Sequence, residues 1–119
     1  MEIFRIYKET GTRITSFNSN FIMNRILKTD LPMQIGYVHL EKNGVIGYHQ
    51  ATVPQLLIVL DGEGKVREES EEFLNIQKGN AVFWSKDEWH ETITEQGLTA
   101  IIIEGEGLKP LFSAVNIDT

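Results

Sequence analysis

The chain contains no cysteine, which excludes disulfides and thiolate chemistry and fits a reducing compartment. No apolar run approaches the roughly 20 residues of a membrane span. The N-terminal residues Met1-Glu2-Ile3-Phe4-Arg5-Ile6-Tyr7 alternate apolar and polar side chains where a signal peptide would show a continuous apolar core. A cytoplasmic location is therefore expected. Basic clusters are missing as well: 11 lysines and arginines are scattered among 17 acidic residues, for a net charge of −6. Nucleic acid and anionic membranes are drawn to clustered cations, so neither is an expected partner. The sequence has no Gly-x-Ser-x-Gly, no phosphate-binding loop with Lys and Ser/Thr, and no Gly-x-Gly-x-x-Gly ahead of a helix. Gly62-Glu63-Gly64 and Gly105-Glu106-Gly107 read as turns.

What is present suits one globular domain. The 119 residues are 41% hydrophobic and 24% charged, enough to bury a true core. The expectation is a single domain over residues 1–119, with a barrel core at 33–104 and an N-terminal strand and C-terminal tail flanking it. Short apolar or alternating runs bounded by Gly, Asn, Asp and Pro predict strands at residues 3–7, 21–27, 33–41, 46–51, 55–60, 64–67, 72–76, 81–84, 90–94 and 98–104. Residues 56–60 and 100–103 are continuously apolar, as strands buried on both faces are. Only residues 16–27 resemble a helix, and Asn18, Asn20 and Asn24 argue against one. The acidic run Glu68-Glu69-Ser70-Glu71-Glu72 reads as a solvated hairpin tip. In the tail, Leu111, Phe112, Val115 and Ile117 can pack on the barrel or on a neighbouring subunit. The pattern is that of an all-β sandwich or barrel.

The chemistry-bearing residues fall on two hairpins. Residues two apart on a strand share a face, so His49 and Ala51 are expected to point the same way, with Val53-Pro54 interrupting and Gln55 opening the returning strand. His90 arrives from the second hairpin after the turn Ser85-Lys86-Asp87. His49, Gln55 and His90 can therefore converge in one barrel mouth. Glu88, two positions before His90, can share its side as a metal ligand or as half of an acid/base dyad, against the simpler reading of an exposed turn glutamate. His39 can face inward or outward. Trp84 is either core or a pocket wall, while Tyr48 and Trp89, adjacent to the histidines, should face away from the cavity.

Both segments, in order around Leu56-Leu57-Ile58-Val59-Leu60-Asp61-Gly62-Glu63-Gly64, resemble the two sequence motifs of the cupin family. The first aligns His49, Ala51, Gln55 and Gly62; Gly44 stands one residue nearer to His49 than the family's usual glycine. The second aligns Gly79, Ser85, Asp87, His90 and Thr94, with Ser85 for a usual proline, Asp87 for a glycine and Thr94 for an asparagine. The resemblance covers residues 44–94 and implies a double-stranded β-helix, the jelly-roll barrel of the cupins. Members with a metal usually supply two histidines and a glutamate from the first motif and one histidine from the second. Here Ala51 removes one ligand and Gln55 removes the charge. The metal set that remains is His49, Gln55 and His90, open to Zn²⁺, Ni²⁺, Fe²⁺, Mn²⁺ or Cu²⁺ with water completing the shell.

Three functional readings follow. The first is a small cupin whose polar pocket of His49, Gln55, His90 and Trp84 binds a small molecule, with at most a weakly held divalent metal. The second is a metal-dependent oxygenase, isomerase or lyase built on His49, Gln55 and His90. The third is a metal-free acid/base enzyme of epimerase type, with His49, His90 and Glu88 as the candidate catalytic residues. A homodimer is expected, with the strand at residues 3–7 pairing with a neighbour's sheet edge.

Overall fold

The computed structural model describes residues 1–112; Val115 and Ile117 lie outside them. Ten strands carry the fold: β1 (Glu2–Arg5), β2 (Thr12–Ile14), β3 (Phe21–Met23), β4 (Gln34–Leu40), β5 (Val45–Gln50), β6 (Gln55–Arg67), β7 (Leu74–Gln77), β8 (Asn80–Trp84), β9 (Trp89–Ile93) and β10 (Leu98–Glu104). All pairings are antiparallel. One sheet runs β1-β8-β6-β10-β4, and the facing layer is made by β5, β9, the second half of β6, and β7.

The long strand β6 joins the two layers, and it departs from the sequence reading. Residues 61–64 were expected to be a turn, yet β6 runs unbroken from Gln55 to Arg67. Leu60 is an extra residue in the ladder, since Ala100 sits opposite Val59 and Thr99 opposite Asp61. Such a bulge bends and twists a strand, letting β6 leave the first sheet and continue in the second. Gly62 takes φ +84°, and a Cβ there would collide with the Gly97 carbonyl. The turn-type residues thus bend the strand without ending it.

The side chains of β6 divide the core by alternation. Leu57, Val59 and Val66 point inward and pack with Ile3, Ile76, Val82, Trp84, Leu98 and Ala100 inside the barrel. Leu56 and Ile58 point the other way, onto Phe4, Ala81, Phe83, Ile103 and Leu108. That outer layer is covered by Ile26, Leu27, Met33 and Phe112, the last of these 5.4 Å from Phe4 between ring centroids. The continuously apolar runs are therefore buried on both faces, each fully buried leucine contributing about 2 kcal/mol.

β1 pairs with β8 of its own chain and forms the rim of the first sheet; β4 is the other rim. The region 16–27 is not helical: a single 3-10 turn at Ser16–Asn18 precedes β3, which is shorter than expected. Residues 68–71 form bends after β6, outside any strand. Among the described residues no helix is long and apolar enough to cross a membrane.

Candidate functional site

His49 and His90 are register partners across the β5–β9 ladder, with ring centroids 4.3 Å apart. Their meeting depends on an irregularity. Ile46 packs in the barrel core, so unbroken alternation would send Tyr48 inward and His49 outward. The register shifts between Ile46 and His49, and that slip turns His49 onto the face of His90 while Tyr48 goes outside. Tyr48 there stacks on Trp89 at 5.2 Å, with the Arg67 guanidinium 4.2 Å above its ring and paired to Glu91. Trp89 and Tyr48 thus face away from the histidines, as expected of residues adjacent to them on their strands.

The two rings sit in different surroundings. His49 is exposed, and its Nδ1 lies 2.7 Å from the Gly47 carbonyl. That oxygen can only accept, so Nδ1 carries the proton and, in the neutral ring, Nε2 keeps its lone pair. His90 is only 2% exposed and stacks on Trp84 at 4.4 Å and 23°. Burial, then the charge of His49, pushes its pKa down to about 4; the backbone and carboxylate of Glu88 act more weakly in the opposite direction. Trp84 is likewise 2% exposed, so it is both core and a wall of the histidine site. Its Nε1 and the His90 Nδ1 are buried with no hydrogen-bond partner among the described residues. Such groups cost roughly 1–3 kcal/mol each unless something satisfies them.

Gln55 faces inward, opposite Trp84 on β8 and opposite Glu104 on β10, and its Nε2 donates to Glu104 Oε2 at 3.4 Å. Glu104 escaped the sequence reading. It closes the apolar run of β10, and only the register shows that it shares the face of Ala100 and Ile102. The inward side chains therefore form a continuous belt, Glu104–Gln55–Trp84–His90–His49, crossing both layers. Beside it the barrel is open. β4 is exposed on both faces from Gln34 to Tyr37, and a Cβ built on Gly36 or Gly47 would meet no atom within 4 Å.

Other candidates lie elsewhere. The Glu88 carboxylate, in the turn before β9, accepts from the Met1 ammonium at 2.6 Å and from the Ser85 N–H. Burial alone would raise its pKa, but these hydrogen bonds and the ammonium charge outweigh burial and lower it. Glu88 thus forms no dyad, and no carboxylate is hydrogen-bonded to either histidine ring among the described residues. Ala51 follows β5, is fully buried, and ties that turn to the barrel through bonds with Glu88 and Asp87. His39 faces outward, stacked on Tyr37 at 4.9 Å. A cleft of about 760 Å³ opens at the far end of the barrel, lined by Arg5, Lys65, Asn75, Gln77 and Gln96 among others; it contains no histidine or aromatic ring, and its charges are mixed.

Many cupins hold a metal, and this donor set does not fit one held tightly. Among the described residues no three His, Asp or Glu side chains come together as a cation site. Two imidazoles and a neutral amide leave a dication without the carboxylate that would neutralise it.

No family model matches the sequence, and no curated protein matches it. Solved structures do. An RmlC-like cupin family protein with a double-stranded β-helix fold from Methanocaldococcus jannaschii is 16% identical with a TM-score of 0.59, over 87% of this chain and 88% of its own. A DMSP lyase from Ruegeria pomeroyi is 17% identical with a TM-score of 0.58, over 92% of this chain and 60% of its own. The Mn(II)-containing oxalate decarboxylase of Bacillus subtilis is 11% identical with a TM-score of 0.59, over 66% of this chain and 22% of its own. At these identities the likeness shows the fold.

Proposed function

The chain is a cupin by fold, and on that premise we propose that its open barrel mouth binds a small polar organic molecule. The supporting observation is the belt itself: aromatic and amide side chains around two imidazoles, containing two buried polar nitrogens without partners, beside open space at Gly36 and Gly47. Small-molecule sites combine apolar walls with a few convergent polar groups in this way. His49 supplies an exposed lone pair and Gln55 an amide that both donates and accepts, while Trp84 backs His90 from the core. The neutral state of His90 at physiological pH favours hydrogen bonding over ion pairing at the floor.

Thermal-shift screening of the purified chain against small metabolites tests this. A ligand at about ten times its Kd adds about 1.4 kcal/mol, which for a domain of this size raises Tm by roughly 5 °C. The rise is expected to vanish in His49→Ala, whose side chain is exposed and whose loss leaves the fold intact. Screening that finds no compound with a His49-dependent shift would remove the proposal. Stoichiometric metal, stripped by chelator and absent from both His49→Ala and His90→Ala, would instead favour the metal-dependent enzyme.

A further inference from the structure

The belt is not electrically neutral, and its one carboxylate lies where the sequence motifs do not look. Glu104 ends β10 opposite both Gln55 and Gln34. The next residue, Gly105, donates its N–H to Pro54, so the backbone at this point is fixed to the start of β6. The carboxylate is half-buried. Its single side-chain bond is the 3.4 Å contact with Gln55, and among the described residues it enters no salt bridge.

No strand cation reaches this end of the barrel interior. The described strands carry Arg5, Arg13, Lys65 and Arg67 only. Arg5 is opposite Asn80, at the other end of β8 from Trp84. Arg13 lies on the separate β2–β3 ribbon. Lys65 and Arg67 alternate with the inward Val66 and so point outside, where Arg67 is held by Glu91 and Tyr48. A carboxylate or phosphate ligand entering the mouth would find Glu104 and no strand-borne arginine or lysine to receive it.

We propose that Glu104 is the charged anchor of the barrel mouth and makes it select ligands bearing an ammonium, amidine or similar cationic group over carboxylates and phosphates. The inference rests on reading the mouth as a binding site. It places the charge that Gln55 lacks one strand away, on its cross-strand neighbour, where it can receive a donor group from the ligand. At this partly exposed position, one opposite charge is worth about a fivefold gain in affinity over a neutral isostere.

A charge-matched set of probes tests it: ethanolamine, ethylene glycol and glycolate, titrated into the full chain while NMR follows the indole N–H signals. The chain has two tryptophans; Trp84 reports the mouth, Trp89 on the outer face is the internal control, and Trp84→Phe assigns them. Ethanolamine is expected to shift the Trp84 signal at about one fifth of the ethylene glycol concentration, with glycolate weakest. The near-isosteric Glu104→Gln should abolish that preference and leave the Trp89 signal in place. Glycolate equal to or stronger than ethanolamine overturns the inference while leaving a binding mouth intact. An unchanged preference in Glu104→Gln overturns it as well. Silence of Trp84 toward all three probes overturns the cationic selectivity, and the metabolite screen then decides separately whether the mouth binds anything.

Discussion

Strands β8 and β5 belong to the same barrel and have opposite environments. Every residue of β8, from Asn80 to Trp84, is buried, because its outer face lies under the covering segments and its inner face fills the core. In β5 every residue except Ile46 is exposed, although His49 reaches the same interior face as Trp84. The inner strands of the first sheet, β8 and the first half of β6, supply stability through two-sided burial. The β4–β5 side leaves the interior accessible and places polar groups against solvent. Stability and the candidate site are thus carried by different strands, and the belt is where they meet.

The sharpest way to break this comparison is to truncate the closed sheet and the open side in parallel. Leu57 is 1% exposed at the centre of the barrel core, and Leu57→Ala removes its transfer energy and leaves a cavity, for a loss of roughly 3 kcal/mol. Tyr37 on β4 is 57% exposed, and Tyr37→Ala should cost about 1 kcal/mol or less. Urea denaturation measures both. Equal losses would mean that the outer face of β4 is covered in solution.

His90 gives the next largest effect, since it lies on the boundary between the two regions. Its folded pKa, near 4, is below the ordinary histidine value of 6.5, so between those values the unfolded chain binds the extra proton. Its contribution is complete above pH 6.5 and is lost progressively as pH falls toward 4. Allowing for partial solvent screening, that loss is about 2 kcal/mol. Glu88, whose pKa is lowered from 4.5, adds its own loss below that value, which distinguishes the two by pH window. Unfolding free energy measured from pH 7 to 4.5 should fall more steeply for the wild type than for His90→Phe. Parallel curves would show that His90 is solvated rather than sealed behind Trp84.

The fold was largely readable because it rests on patterns that survive without coordinates: apolar runs of strand length, turn residues between them, and motif spacing that brings two histidines into one barrel. The strand at residues 98–104 matches β10 to the residue. Failures cluster where the backbone leaves its period. The turn expected at residues 61–64 became a bend inside β6, since Gly62 relieves a collision without ending the hydrogen-bonded ladder. The inward turn of His49 depends on a register slip that alternation cannot reveal. Glu104 was invisible for a related reason. A run apolar on both faces has no polar alternation to mark which face is which, and only pairing with Gln55 fixes the side. For Glu88, proximity in sequence to His90 suggested a partnership that the Met1 ammonium took instead.

The smallest effect is also the most direct test of the open side. Gly36 and Gly47 flank the belt, and an added methyl at either would touch nothing within 4 Å. Neither has a left-handed φ, so alanine fits the backbone, and its better strand propensity offsets the small exposure of apolar surface. Gly36→Ala and Gly47→Ala are therefore expected to change unfolding free energy by no more than about 0.5 kcal/mol. Gly36 shares the inward face of Val38 and Leu40, so its methyl occupies volume a ligand would use, and in Gly36→Ala the Tm rise produced by any hit from the metabolite screen should shrink while the apo Tm stays fixed. Substantial destabilisation of the apo protein would mean that the space at these glycines is already filled, and the contrast between a sealed sheet and an open mouth would fail there.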